Sequence, residues 1–145
     1  MATMQEIRKA LADRIETLLD KEWTVYPIVP DAINAPALYI DPDRPFIDYQ
    51  QAFRSGQACW KFALTPLVNR IDDESAQGDL GLLLDPFGPL ITGLQDGVDA
   101  EGLPLNDVLT ELVAYVEVLT ATRYGAYRIG HASYYGVQIL IEVRT

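Results

Sequence analysis

The polarity of the chain changes period along its length. Residues 5–20, QEIRKALADRIETLLD, set Ile7, Leu11, Ile15, Leu18 and Leu19 at helical spacing, with Glu6, Arg8, Lys9, Asp13 and Glu16 on the other face. Thr3 as N-cap with Glu6 three positions on has the form of a capping box. A single apolar stripe has to be buried, and a sheet is the expected support. The period then falls to two. WTVYPIVPD and PALYID (residues 36–41) predict two short strands. Pro27 and Pro30 oppose an interior sheet position for the second half of the first strand, and PDRP ends the second. In residues 58–65, Ala58, Trp60, Phe62 and Leu64 alternate with Cys59, Lys61, Ala63 and Thr65, and Pro66 predicts a bend, a bulge or an edge position there. Residues 46–49 are candidates to pair with this strand across a loop holding Arg54, Ser55 and Gly56.

A second helix, DDESAQGDLGLLLD, is predicted from Asp72 or Asp73, where carboxylates meet the positive end of the helix dipole. Its apolar face is Ala76, Leu80, Leu83, Leu84 and Phe87. Gly78 and Gly81 weaken it, and Pro86 in DPFGP kinks or ends it. PLITGLQD continues the helical layer, GVDAEGLP reads as a loop, and LNDVLTEL fits either a short helix capped by Asn106 or extended chain. The β-branched run AYVEVLTAT predicts a strand that extends through RYGAYRIG with a bulge at Gly125. The turn GHAS then returns the chain antiparallel, with Tyr135, Val137, Ile139, Ile141 and Val143 sharing one face of the last strand. The expected order is α-β-β-β-α-(α)-β-β. This is an α+β fold with a mostly antiparallel or mixed sheet, two helices packed on one face and a C-terminal β-hairpin, in one domain over residues 1–145.

Composition agrees with a folded globular chain: 145 residues, 49% of them apolar, with eight tyrosines. A chain of this size hides roughly 70% of the surface its unfolded form exposes, so a core needs neither metal nor disulfide. One cysteine, Cys59, permits no intrachain disulfide and suits a reducing compartment. The opening segment carries Glu6, Arg8, Lys9 and Asp13 where a signal peptide needs an apolar run, and no membrane-spanning stretch occurs, so a soluble protein is expected. The net charge is −10, and its placement is uneven: between Ile71 and Thr122 there are eleven Asp or Glu and no Lys or Arg. Such a chain repels a nucleic-acid backbone. The charge serves solubility, faces a basic partner, or forms a wall past which nucleic acid moves without sticking.

Candidate chemistry is sparse. His131 is the only histidine, in a predicted turn with no Ser or Cys partner nearby, and Cys59 alternates with Trp60 as a small buried hydrophobe would. DDESAQGD lacks the ligand order of an EF-hand loop, and GPLITG lacks the Gly-Lys-Ser/Thr ending of a phosphate loop. No catalytic residue, cofactor or metal ligand is expected, and an enzyme is not. The tyrosines are more suggestive. Tyr115, Tyr124, Tyr127, Tyr134 and Tyr135 crowd the last two strands, where they seal a sheet face or serve as rigid contact residues for a partner.

The opening helix IRKALADRIETLL, the segment WTVYPIVPDAINAPALYI, the aromatic-rich FRSGQACWKFALTPLVNRIDDESAQGDLGLLLD and the ending RYGAYRIGHASYYGVQILIEV together resemble the tail terminator proteins of long-tailed phages, particularly those of actinobacterial phages and prophages. The resemblance covers residues 4–143 and rests on order and texture. It implies a virion structural protein, made in the host cytoplasm. Six copies would form a ring at the head-proximal end of the tail tube, end tube polymerisation and provide the head-joining surface. Partners implied are the chain itself, the tail-tube protein and the head-to-tail connector, with DNA passing through and no membrane. A head-to-tail connector and a protein-interaction domain outside phages are the alternatives. Ile7, Leu11, Ile15 and Leu18 would pin the first helix, while Trp60, Phe62, Tyr135, Val137, Ile139 and Ile141 would form the sheet core. Arg54, Ser55, Gly56, Tyr124 and Tyr127 become candidate assembly contacts. Asp72, Asp73, Glu74, Asp79, Asp96, Asp99 and Glu101 become candidate channel-lining or partner-facing acids, in a ring whose six copies at −10 each would carry −60.

Overall fold

A computed structural model describes residues 3–47, 49, 58–69 and 73–145. In chain order the elements are α1 (Met4–Leu18), β1 (Thr24–Tyr26), β2 (Ala37–Ile47), β3 (Cys59–Asn69), α2 (Asp73–Leu83), α3 (Pro89–Asp96), α4 (Val108–Leu112), β4 (Tyr115–Ile129) and β5 (Ala132–Arg144). The fold is α+β, and the described strands form one five-stranded sheet in the order β1-β2-β3-β5-β4. β1 runs parallel to β2 and every other pairing is antiparallel.

The sheet is held by rows of apolar side chains that run across it. Pro42 pairs with Phe62, Phe62 with Ile141, and Ile141 with Val118; one row along, Ile40, Leu64, Ile139 and Ala121 repeat the pattern. Phe62, Leu64, Ile139 and Ile141 are completely buried, together with Ile7, Leu11 and Ile15 of α1, Leu90 and Leu94 of α3, and Leu109 of α4. Leu80 of α2 packs on Val68 and Val137 in an adjoining cluster, so the helices share one face of the sheet. Strand alternation produces this sidedness: in β5 the odd-numbered positions 137–143 face the helices, and the even-numbered ones face away.

The structure corrects the expected two helices to four among the described residues. The layer breaks at DPFGP. After α2, Asp85 N–H donates to Leu82 O and Gly88 N–H to Asp85 O, forming a turn that Pro86 cannot continue as helix. Pro89 then starts α3, where its fixed φ and missing N–H suit a first turn, and Gly97 in the left-handed region ends it. α4 is helical because Asp107, not Asn106, is its N-cap, accepting from Thr110 N–H. Phe87, expected on the apolar face of α2, lies outside it and points into solvent.

The strands also differ from expectation. β2 does not end at PDRP but continues to Ile47, absorbing extra residues in an irregularity between Pro42 and Ile47. Pro66 stands inside a central strand: β3 keeps one register against β5 on both sides of it, with pairing interrupted only between Leu64 and Leu67. The hairpin turn is tighter than GHAS, because Ile129 already pairs with Ala132. Arg8, placed on the polar face by spacing, is buried; its guanidinium donates to Pro27 O at 2.8 Å and Ile40 O at 2.7 Å, tying α1 to β2.

A second buried arginine locks the helical layer. Arg14, 5% exposed, donates from Nε and Nη2 to the two carboxylate oxygens of Asp107 at 2.7 and 2.6 Å, and from Nη2 to Thr110 Oγ1 at 2.8 Å. The two-pronged bond from Arg14 holds the Asp107 carboxyl down at about 2, with Thr110 adding to the effect against the opposing cost of burial. Since its folded pKa lies below the unfolded 3.8, this pair's stabilisation is complete above pH 4 and is lost as pH falls through 2. Chemical unfolding followed from about pH 5 to 2 will show about 2 kcal/mol of this loss in the native chain and not in Asp107→Asn.

Gly136 supplies a second test. A Cβ there would lie 2.4 Å from Leu67 Cδ2, 2.9 Å from the Pro66 carbonyl and 2.9 Å from the Tyr127 ring. Gly136→Ala is expected to destabilise the fold by about 1–3 kcal/mol in denaturant titration, because the carbonyl belongs to a central strand and cannot yield cheaply.

Candidate functional site

Two surfaces stand apart from the core. The first is the outer edge of β4. Near its start Val118 N–H is capped by Gln95 Oε1 at 2.8 Å, so α3 covers that part of the edge. Beyond it, residues 119–124 are all exposed, on both faces of the strand, while the β5 residues they pair with are buried or half-buried. Two register shifts bend this stretch, one at Leu119 and one at Arg123–Tyr124. Arg123 has φ +57°, a left-handed conformation uncommon for an arginine. Tyr127 Oη donates to the Arg123 carbonyl at 2.7 Å and helps hold that turn of the backbone.

The candidate contact tyrosines thus separate. Tyr124, at the second bulge, is 49% exposed, and Leu119, at the first, is 43% exposed. Tyr127 is half-buried and acts on the backbone, and burial pushes its phenol pKa up. Tyr134 is buried with Tyr39 and Leu67 on the face away from the helices, and Tyr135 packs towards Val68 and Leu80. Tyr115 lies under the Arg144 guanidinium, 5.8 Å from ring centroid to Cζ. Arg54, Ser55 and Gly56 lie outside the described residues.

The second surface is a groove of about 370 Å³ between the end of α1, the approach to β1, α2 and the start of α3. Leu18, Trp23, Leu82 and Leu90 contribute its apolar walls. Asp20, Glu22, Asp79 and Asp85 also line it, and none of the four forms an ion pair among the described residues. The groove exists because α1, ending at Leu18, and α3 are held close. Gly93 permits this approach, since a Cβ there would lie 2.4 Å from Leu18 Cδ2. Leu82 is 73% exposed, and the Asp85–Gly88 turn carries Phe87 outward at 90% exposure, its N–H held by Asp85 Oδ1 at 2.9 Å.

The sequence-predicted acids do not gather in one place. Asp79 lines the groove, while Asp96 lines a separate cavity of about 280 Å³ beside Arg14 and Tyr115. Asp99 is consumed by its own loop: Oδ1 accepts from Glu101 N–H at 3.0 Å and Leu103 N–H at 2.9 Å. Glu74 and Glu101 are exposed on α2 and on that loop. Asp73 opens α2, and Asp72 lies outside the described residues. Sequence reasoning missed Asp20, Glu22 and Asp85 as neighbours of Asp79. The interruption DPFGP was an available signal for Asp85, which a turn there sets at the helix junction; Asp20 and Glu22, between α1 and β1, had none.

Cys59 is buried and donates to Glu142 Oε1 at 2.6 Å; Arg144 Nη2 approaches the same oxygen at 3.4 Å. Burial first, and the carboxylate of Glu142 second, push the thiol up to about 11. Among the described residues no group of three or more His, Cys, Asp and Glu is placed to hold a metal ion. No protein-family model matches the chain, and no curated protein matches it significantly.

A consequence for Cys59 is directly measurable. At pH 8 the folded chain is expected to react with iodoacetamide at least about 100-fold more slowly than the same chain in denaturant, because thiolate is scarce at a pKa near 11 and the sulfur is covered. Equal rates, read by mass spectrometry, would contradict the buried Cys59–Glu142 bond.

Proposed function

We propose that this chain is a non-catalytic assembly subunit of the tail-terminator kind, forming a ring that caps the head-proximal end of a phage tail tube. The observation that best supports an assembly role is the outer part of β4. Six successive residues, 119–124, are exposed on a strand whose partner strand is in the core, and they include Leu119 and Tyr124. Large apolar and aromatic side chains displayed on an ordered strand suit a protein contact, because little backbone freedom is lost on binding. The groove lies in the helical layer, a surface unlike this edge. A subunit with unlike surfaces can make head-to-tail contacts, which close into a ring when the rotation per subunit allows it. A ring with two different faces can bind the last tube ring and offer no equivalent surface for another.

The exposed acids Glu74, Asp79, Asp96 and Glu101 fit either the wall of a passage for DNA or a face towards a basic partner; Asp99, held within its own loop, is the least available. The decisive experiment mixes the purified chain with polymerising tail-tube protein from the same genome. Tubes of limited length, carrying at one end a ring of six copies by mass and electron microscopy, are expected. Tyr124→Ala with Leu119→Ser is expected to weaken ring formation by tenfold or more while leaving the thermal transition nearly unchanged. Tubes of unaltered length would remove the reading, and a ring found against the portal would assign the chain to the connector.

A further inference from the structure

We propose that the groove between α1, α2 and α3 receives a segment of another protein that carries a large apolar side chain flanked by lysine or arginine. The inference rests on the groove alone and holds whether or not the chain caps a tail tube. Three features carry it.

The first is unsatisfied apolar surface. Phe87 and Leu82 are the two most exposed large hydrophobic side chains among the described residues. Leu82 lines the groove, and Phe87 stands on the turn between two residues that line it, Asp85 and Gly88. Phe87 is not loosely displayed: hydrogen bonds from Asp85 N–H to Leu82 O, Gly88 N–H to Asp85 O and Phe87 N–H to Asp85 Oδ1 define the turn that projects it. Pro86 and Pro89 bracket that turn and limit the backbone further. The backbone that carries the ring is thus already ordered and loses little freedom when a partner covers it.

The second is charge. Asp20 and Glu22 stand on one side, Asp79 and Asp85 on the other, and none is neutralised by a described Lys or Arg. Lys21 lies between two of them in sequence but does not line the groove. Four carboxylates around an apolar floor repel phosphate and disfavour nucleic acid or an anionic membrane. They favour a cationic group on each side of an apolar anchor. The third is size. About 370 Å³ falls within the range of sites that enclose a buried anchor. The complementary ligand is therefore a short basic–apolar–basic peptide element, read by shape in the middle and by charge at both ends.

The test is an unbiased peptide-display selection against the full chain, followed by binding measurements on the most enriched synthetic peptide. Enrichment of Leu, Met, Phe or Trp with Lys or Arg within a few positions on both sides is expected. Its affinity should fall at least about tenfold in Asp20→Asn/Asp79→Asn, and similarly in Leu82→Ser/Phe87→Ser. All four positions contribute to the surface, so an unchanged thermal transition is expected to certify the fold of both variants. Binding should also weaken as salt is raised from about 50 to 300 mM. Selection of no such element, or of peptides that bind both variants as well as the parent, overturns the proposal. So does sedimentation showing that the chain alone self-associates through the groove, with both variants dissociating it, since the occupant would then be a second copy.

Discussion

The register of β5 is the constraint on which the rest of the molecule depends. This strand is paired along both sides, with β3 and with β4, and its side chains at 137, 139, 141 and 143 are all buried against the helical layer. Shifting it by one residue would turn those four side chains to the opposite face and bring Gln138 and Glu142 into the apolar layer. Both neighbours accommodate β5, not the reverse. β3 keeps its register across Pro66 without a slip, and β4 takes up its mismatch in two bulges. The shape of the exposed edge therefore follows from the demands of the strand beside it.

Much of this framework was legible in the sequence because it is periodic. Ile7, Leu11 and Ile15 announce α1, the Thr3–Glu6 capping box marks its start, and the alternation of β3 and β5 gives the faces those strands adopt. Features set by contacts distant in sequence were not legible. Arg8 looks solvent-facing by spacing, and only the fold reveals the Pro27 and Ile40 carbonyls waiting for it. Pro66 reads as a bend, a bulge or an edge position, yet a ladder with partners on both sides tolerates one missing donor. The helices among the described residues were undercounted because α3 and α4 are too short for a periodic signal, and a proline and a capping aspartate define their starts.

Charge shows the same division. The run of acids without a compensating base was plain from composition, and it suggested solubility, a face for a basic partner or a wall along a passage for nucleic acid. In the fold these carboxylates have separate tasks. Asp107 clasps Arg14 across 93 positions of chain, Asp99 organises a loop, Asp85 fixes a turn, and Asp79 belongs to a groove shared with Asp20 and Glu22 from the first part of the chain. Composition counts charges without regard to which are spent internally. Of the two tyrosines singled out as contacts, Tyr124 is displayed, whereas Tyr127 is half-buried and bonded to the Arg123 carbonyl.

The two bulges of β4 also bear on what the molecule avoids. A long strand at the margin of a sheet is a template for stray strands, since its free amides and carbonyls recur at a regular interval. Offsets at Leu119 and at Arg123–Tyr124 break that interval twice within a few residues, and Arg123 and Arg128 add like charges along the same border. An incoming strand would lose its match after a few bonds and meet repulsion. Stacking of copies into amyloid-like fibres is thereby discouraged at the very place where the chain is most open to neighbours, and any lasting union there has to be made by side chains of the right shape.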